Sequence, residues 1–407
     1  MWEQIRSNRI RSAVLVGMMG ALLVAVGFFL GAALLGSGTA GLILALAIWL
    51  VMSAVAYFQG DSILLSISGA RKITRDDHPR LYNIVEEMKI ASGLERMPDI
   101  YIIDDPALNA FATGKDPSRA SVAVTSGLLQ KLNRAELQGV IAHEIAHITN
   151  RDVLLMAIVS VLLGTIVILA WYASRIIFFS GMSGGRRRSS SGGAGGAQII
   201  IMVAAVVLMI LAPIIAQLIY FAISRRREYL ADASSALYTR YPEGLASALE
   251  KIASSTTQLK SANQALAPMY ILNPFRKEGR AATDLTSTHP PISERIRILR
   301  SMAGGASLAD YERAFRQVRG ANKGVIPASA LFGAVAAVPI QQPPPAEMDV
   351  ERATMARETS DLLWRQSGYS IIDCQCGTRL KAPSNLQGNE IRCPHCGTPN
   401  PVPRLGR

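Results

Sequence analysis

The chain of 407 residues is short of three things: histidine, cysteine and, over one long stretch, charge. Its four cysteines all lie between Cys374 and Cys396, so no disulfide or thiolate metal site can involve anything earlier. From Ser12 to Gly60 there is no charged side chain. That stretch breaks at Gly36–Gly41, and each half has about the 20 residues needed to cross a bilayer. A soluble core helix of such length and uniformity would be exceptional. The run is too long for a cleaved signal, and no clear small-residue cleavage site follows it. No recognised nucleic-acid motif accompanies the net charge of +12. The excess basicity therefore points to arginines flanking membrane segments, and nucleic acid is not an expected partner.

Only five histidines are present, and two of them stand four apart in His143-Glu144-Ile145-Ala146-His147. On a helix that spacing puts both rings on one face, where they can grip one metal ion. Glu144 then sits where it can take a proton from a metal-bound water. The flanks favour a helix: Asn133 can cap it, Glu136 stands where a capping box needs it, and Leu137, Val140, Ile141 and Ile145 form an apolar stripe. A tetrahedral catalytic zinc needs a third protein ligand and one open position. Glu228 and Asp232, again four apart, share a face; one would bind zinc and the other would accept the free N–H of a ligating imidazole. Taken alone, that segment reads better as a solvated helix with ordinary Arg–Glu and Arg–Asp pairs. Beside the histidine motif, Glu228 is the better zinc ligand and Asp232 its supporting carboxylate, as a thermolysin-like zinc peptidase requires.

Two further apolar runs, Val153–Ser174 and Gln198–Ser224, bring the expected membrane helices to four; half the residues are hydrophobic and mean hydropathy is +0.25. Arg6, Arg9 and Arg11 precede the first span, and Arg71, Lys72, Arg75 and Arg80 follow the second. The positive-inside tendency places both flanks, and with them the histidine helix, in the cytoplasm. Arg186–Arg188, in a Gly/Ser-rich connection between the third and fourth runs, offend that tendency if the second pair crosses fully.

Asp99–Asp104, Asn109–Thr113 and Ala120–Thr125 read as strands. The fold class is therefore α+β: a mainly helical zincin domain with a small sheet, membrane helices and a tail module. In that tail Cys374-Gln-Cys376-Gly and Cys393-Pro-His-Cys396-Gly form two knuckles of a zinc ribbon. Four thiolates close the shell, so this second zinc is structural; His395 is not expected to bind it. The division expected is a two-helix anchor at 1–60, a first catalytic part at 61–152, a membrane hairpin at 153–224, a second catalytic part at 225–320, a Pro-rich linker with a short helix at 321–370, and the ribbon at 371–401. A module on such a tether suits binding of a protein partner. His78 is expected on the surface where a helix begins.

Four motifs together resemble the HtpX-type membrane zinc metallopeptidases, relatives of the CAAX prenyl endopeptidases: Asn109–Gly114, His143–His147, Ser224–Asp232 and Thr288–Ile292. The resemblance covers roughly residues 1–300. It implies that His143, His147 and Glu228 bind the catalytic zinc and that Glu144 is the general acid/base. It also implies a substrate-binding sheet edge at Asn109, Ala110 and Phe111, and an oxyanion-stabilising role for His289. The expected activity is proteolysis of misfolded or damaged membrane proteins, a quality-control task, at the cell inner membrane with site and tail facing the cytoplasm. An inactive scaffold that gathers partners is the alternative, and the intact Glu144 argues against it. A prenyl-protein processing enzyme would need a larger intramembrane chamber than four apolar runs can build.

Overall fold

Two apolar helices open the chain. In this computed structural model, which describes residues 2–182, 195–260, 270–271, 290–302, 304–320, 324–332, 338–341, 348–383, 386 and 390–402, α1 (Trp2–Leu30) tightens into a π-helical turn at Gly31–Leu35 and reverses into α2 (Gly38–Ile67). The reversal needs Gly36, whose φ of 70° lies in the left-handed region, and Ser37, whose Oγ accepts from Ala40 N to cap α2. The break expected at Gly36–Gly41 is therefore a helical hairpin.

A four-stranded sheet follows, built from β1 (Arg71–Ile73), β2 (Asp99–Ile103), β3 (Ala110–Gly114) and β4 (Ala120–Thr125) in the order β1-β2-β4-β3. Its β2 and β4 are parallel and the other pairs antiparallel. Three of the strands match the sequence reading; β1 was not expected, being three residues of which two are charged and exposed. Between β1 and β2 runs α3 (Pro79–Ser92), and after β4 come α4 (Ser126–Lys131) and α5 (Arg134–Thr149), the histidine helix. The capping box at Asn133 and Glu136 is present as expected, with both bonds formed.

Strand alternation gives the sheet two jobs. Ile100, Ile102, Ala110, Ala112, Val122 and Val124 enter the main core with α3 and α5. Ile103, Phe111 and Ala123 face the other way, onto Leu64 and Leu65 at the end of α2 and Ala157 of α6 (Val153–Met182). The sheet thus sits on the ends of the membrane helices. Lys115, in the β3–β4 connection, stacks 4.0 Å from the Tyr57 ring centroid of α2, an arrangement suited to an interfacial belt.

Among the described residues three stretches are long and apolar enough to cross a membrane: Val16–Leu35, Gly38–Ile67 and Val153–Tyr172. The fourth apolar run is shorter, Ile200–Ala216, and lies inside α7 (Gly195–Thr239). This helix continues through Pro213 and through the boundary expected at 224, carrying Glu228 and Asp232 on the same rod as the apolar run. The connection with Arg186–Arg188 lies outside the described residues.

Helices α8 (Pro242–Ser254), α9 (Ile292–Arg300), α10 (Leu308–Arg319) and α11 (Ala328–Phe332) complete the main body. The Pro-rich linker meets the main body at two of its described points: Ala306 N donates to Val338 O at 2.9 Å, and Gln341 N to Arg240 O at 2.8 Å. Helix α12 (Met348–Gln366) then buries Met355 and Leu362 in the main core. His78, expected on the surface, is fully buried here; its Nδ1 caps α3 by accepting from Leu81 N, and its Nε2 lies 3.0 Å from Thr359 Oγ1 of α12. The reason is tertiary: α12 covers the start of α3, with Arg80 donating to Glu358.

The tail ends in two hairpins, β5 (Tyr369–Asp373) with β6 (Arg379–Pro383) and β7 (Glu390–Arg392) with β8 (Pro399–Pro401). Their small core is Ile372, Leu380 and Ala382 around Cys374 and Cys393. Arg379 ties β6 to Asp361 and Asp373, and Lys381 stacks 4.3 Å from the Trp364 centroid, so the ribbon rests on α12.

Candidate metal centre

Helix α5 presents His143 and His147 one turn apart, with ring centroids 4.9 Å from each other. Across from it α7 brings Glu228. The Nε2 of His143 lies 3.6 Å from Glu228 Oε2, and the Nε2 of His147 lies 3.5 Å from Oε1. One donor atom from each of the three residues lies within 4.8 Å of the others. A tetrahedral zinc with arms of about 2.0–2.1 Å sets its donors about 3.3–3.4 Å apart, so the spacing fits a metal ion. Three donors also leave the fourth position for water or substrate, as hydrolytic sites need. All three are buried, as is Glu144 on the same turn as His143.

Around the donors stands a second layer of charge. Asp232, fully buried, places Oδ1 3.0 Å from His143 Nδ1, leaving Nε2 turned toward Glu228. Arg295 of α9 grips Asp232 with both arms of its guanidinium, Nε to Oδ2 at 2.8 Å and Nη2 to Oδ1 at 2.6 Å. Its Nη1 lies 3.5 Å from Glu228 Oε2. Burial works against the charge of Asp232, but Arg295 and His143 outweigh it and hold the carboxyl below its usual range. For Arg295 burial is likewise opposed, by Asp232 and Glu228, and the guanidinium is held charged. His143 and His147 are pushed up despite burial: His143 by Asp232 and Glu228, and His147, to about 10, by Asp152, Glu228 and Glu144. The pocket is anionic enough to keep cations, whether protons or a metal ion.

Sequence reasoning missed Arg295 and Asp152. Arg295 left a signal: on α9 it shares the buried face with Ile292, Ile298 and Leu299, a charge set in an apolar stripe. His289, expected to stabilise an oxyanion, lies outside the described residues. Asn109, Ala110 and Phe111 lie at or beside β3, the terminal strand, yet all three are buried. Ile271 N donates to Ala110 O at 3.2 Å, and Tyr270 stacks edge-on against Phe111 with centroids 5.4 Å apart. The edge is covered by the chain itself.

In the ribbon Cys374 Sγ lies 3.5 Å from Cys396 Sγ, and Cys376 Sγ lies 3.6 Å from Cys393 Sγ. These are free thiols, too far apart for a disulfide. A tetrahedral zinc with sulfur arms of about 2.3 Å has edges of about 3.8 Å, so the four can hold a second metal. Gly377 and Gly397, at φ 85° and 75°, let each knuckle turn back, with Gly377 N donating to Cys374 O and Gly397 N to Cys393 O.

A buried two-histidine, one-glutamate donor set with a neighbouring glutamate, one helix of it followed by an apolar span and the other continuous with an apolar run, describes a membrane-bound metallohydrolase. Residues 75–303 match the model of Peptidase family M48. The chain is 46% identical over 314 residues to a "Protease HtpX homolog" of Dictyoglomus turgidum, covering 76% of this chain and 98% of that protein. It is 42% identical over 302 residues to one of Streptococcus agalactiae serotype III, covering 74% and 100%. The chain belongs to peptidase family M48 and is a membrane zinc metallopeptidase. Among solved structures, that of S. mikatae Ste24p is similar at 18% identity and a TM-score of 0.39, covering 74% of this chain and 67% of that one. Both the family match and its C-terminal limit leave the cysteine ribbon outside.

Proposed function

We propose that this chain is an endopeptidase of the cell inner membrane that cuts misfolded or damaged membrane proteins on the cytoplasmic side. The observation that carries the reading is the meeting of His143, His147 and Glu228 beside Glu144 in one buried pocket. In this reading those three residues hold the catalytic zinc. When bound, zinc supplies Lewis acidity, polarising the scissile carbonyl and acidifying water. Glu144 takes the proton of the attacking water and passes it to the leaving amine. Asp232 fixes the tautomer of His143, and Arg295 fixes Asp232. No covalent intermediate is involved. The substrate is an extended segment added to β3, with Asn109, Ala110 and Phe111 as its backbone edge; Ile271 then competes with it for the Ala110 carbonyl. The packing of the sheet on α2 and α6 supports substrates presented at the bilayer surface. The ribbon holds a structural zinc on Cys374, Cys376, Cys393 and Cys396, and the tail offers a protein partner a rigid surface.

The test is cleavage of an unfolded membrane protein by purified, zinc-loaded enzyme, with Glu144→Gln beside it. Wild-type cleavage that falls about 10²–10⁴-fold in the variant, with zinc content unchanged, is the expected result. Equal rates in the two proteins would remove Glu144 from the mechanism.

A further inference from the structure

Both imidazoles of the donor set turn Nε2 toward Glu228, so each leaves Nδ1 on its far side. For His143 that nitrogen faces Asp232 at 3.0 Å. For His147 it faces Asp152, whose Oδ2 lies 3.6 Å from Nδ1, and that nitrogen is buried with no hydrogen-bond partner among the described residues. A metal at Nε2 needs the lone pair there, which forces the ring proton onto Nδ1; a buried N–H then needs an acceptor.

The backbone is bent to supply one. At the end of α5, Arg151 N donates to Ile148 O at 3.0 Å and Asp152 N donates to His147 O at 2.9 Å, a helix-ending turn that usually places glycine in the left-handed position. Here that position is Arg151, with φ 58°, a conformation an L side chain adopts at a cost. The turn carries Asp152 back beneath His147, fully buried. On its other side Arg227, next to Glu228 on α7, reaches toward Asp152 with Nη1 3.4 Å from Oδ1. Asp152 is also where α6 begins, since Met156 N donates to its carbonyl at 3.0 Å.

We infer that Asp152 is a positioning residue for His147, holding its Nδ1–H so that Nε2 faces the metal, as Asp232 does for His143. Resting on the metal-site reading above, the inference adds a second carboxylate–histidine pair and makes Arg227 its support. It also joins three elements at one side chain: the histidine helix, the first turn of a membrane helix and the helix that carries Glu228.

The test is zinc affinity of the full chain, measured by competition with a chromophoric chelator. His147→Ala identifies which phase of the titration belongs to the histidine site and which to the ribbon. Asp152→Ser is the decisive variant, because serine starts a helix as well as aspartate does but is too short to reach the ring. We expect the histidine-site phase to weaken about 10–100-fold while the ribbon phase stays where it was. Asp152→Asn, which keeps an acceptor oxygen without its charge, should weaken it less, and Arg227→Gln should move it in the same direction. A purely structural Asp152 would leave the affinity of Asp152→Ser within twofold of wild type, and that result overturns the inference. If Asp152→Ser does not fold, Asp152→Asn decides, with unchanged affinity as the negative. A titration in which His147→Ala loses no phase would instead overturn the metal-site reading itself.

Discussion

The two side-chain clusters of this chain that could hold a metal ion are built on opposite plans. The histidine site takes its donors from two helices separated in sequence by two apolar stretches, buries all of them, and surrounds them with Asp232, Arg295 and Asp152. The ribbon takes four thiols from two adjacent hairpins, leaves Cys376 and Cys396 exposed, and positions them with glycine turns and backbone N–H groups. Three donors held rigidly leave room for chemistry; four donors close the shell and fold the segment that holds them. What the first cluster requires is global, an assembled domain. What the second requires is local.

The sharpest way to break this comparison is to remove one ligand from each. Glu228→Gln should abolish proteolysis and lower bound zinc from two equivalents to one, as read by metal analysis of purified protein. Cys393→Ser should lower zinc by the same amount yet leave cleavage of a short unfolded peptide within about twofold, since the family match ends before the ribbon. Cleavage lost in both variants would mean that the two sites form one functional unit.

Proton competition sharpens it further. His147 is raised to about 10 by its carboxylate neighbours despite burial. With no metal bound, its proton stabilises the fold fully below about pH 6.5, and this contribution is lost as pH rises through about 10. Zinc must displace that proton, so affinity at the histidine site should fall by about one log unit for each pH unit of acidification in this window. Isothermal titration at pH 7 and 8 in buffers of different ionisation enthalpy would count the proton released. A pH-independent affinity with no proton release would refute the assignment of His147.

A smaller effect tests whether the tail belongs to the main body. Burial lowers His78 to about 4, a backbone hydrogen bond opposing it and Arg80 and Arg365 adding to it. An unfolded histidine titrates near pH 6.5, so below that the unfolded chain takes up a proton the folded one refuses. Stability from this group is whole above about pH 6.5, and about 3 kcal/mol of it is lost as pH falls toward 4. Denaturant titrations in detergent at pH 7 and 4.5 should show this loss in wild type and a shallower one in His78→Gln. Equal slopes would mean that α12 does not seal His78 in solution.

The comparison also explains what could be read in advance. The histidine helix was legible down to its capping box, because an i, i+4 donor pair and an Asn-x-x-Glu cap are local patterns. So were β2, β3, β4, α12 and both cysteine knuckles. Contacts between distant segments were not: the burial of His78 depends on a helix nearly three hundred residues later, as shown by its bond to Thr359. Asp152 reaches His147 only through a left-handed Arg151, a conformation that its residue type argues against. The expected boundary at 224 falls inside a continuous helix. Polarity changes there, from an apolar run to three arginines, but helix propensity does not, and α7 continues.

That continuity makes α7 a lever. The roughly 28 residues from Ile200 to Glu228 span about 42 Å at helical rise, so a tilt of one degree about the far end would carry Glu228 about 0.7 Å. A metal ligand tolerates only a few tenths of an ångström. The rod must therefore be pinned at its catalytic end, and the pins are visible: Ser235 Oγ donates to Gly139 O of α5 at 2.8 Å, and Arg295 clamps Asp232. Glu228 is the fulcrum, and the apolar end, beyond Pro213, packs Leu208 and Ala212 into one cluster with Met19 and Leu23 of α1 and Leu162 of α6.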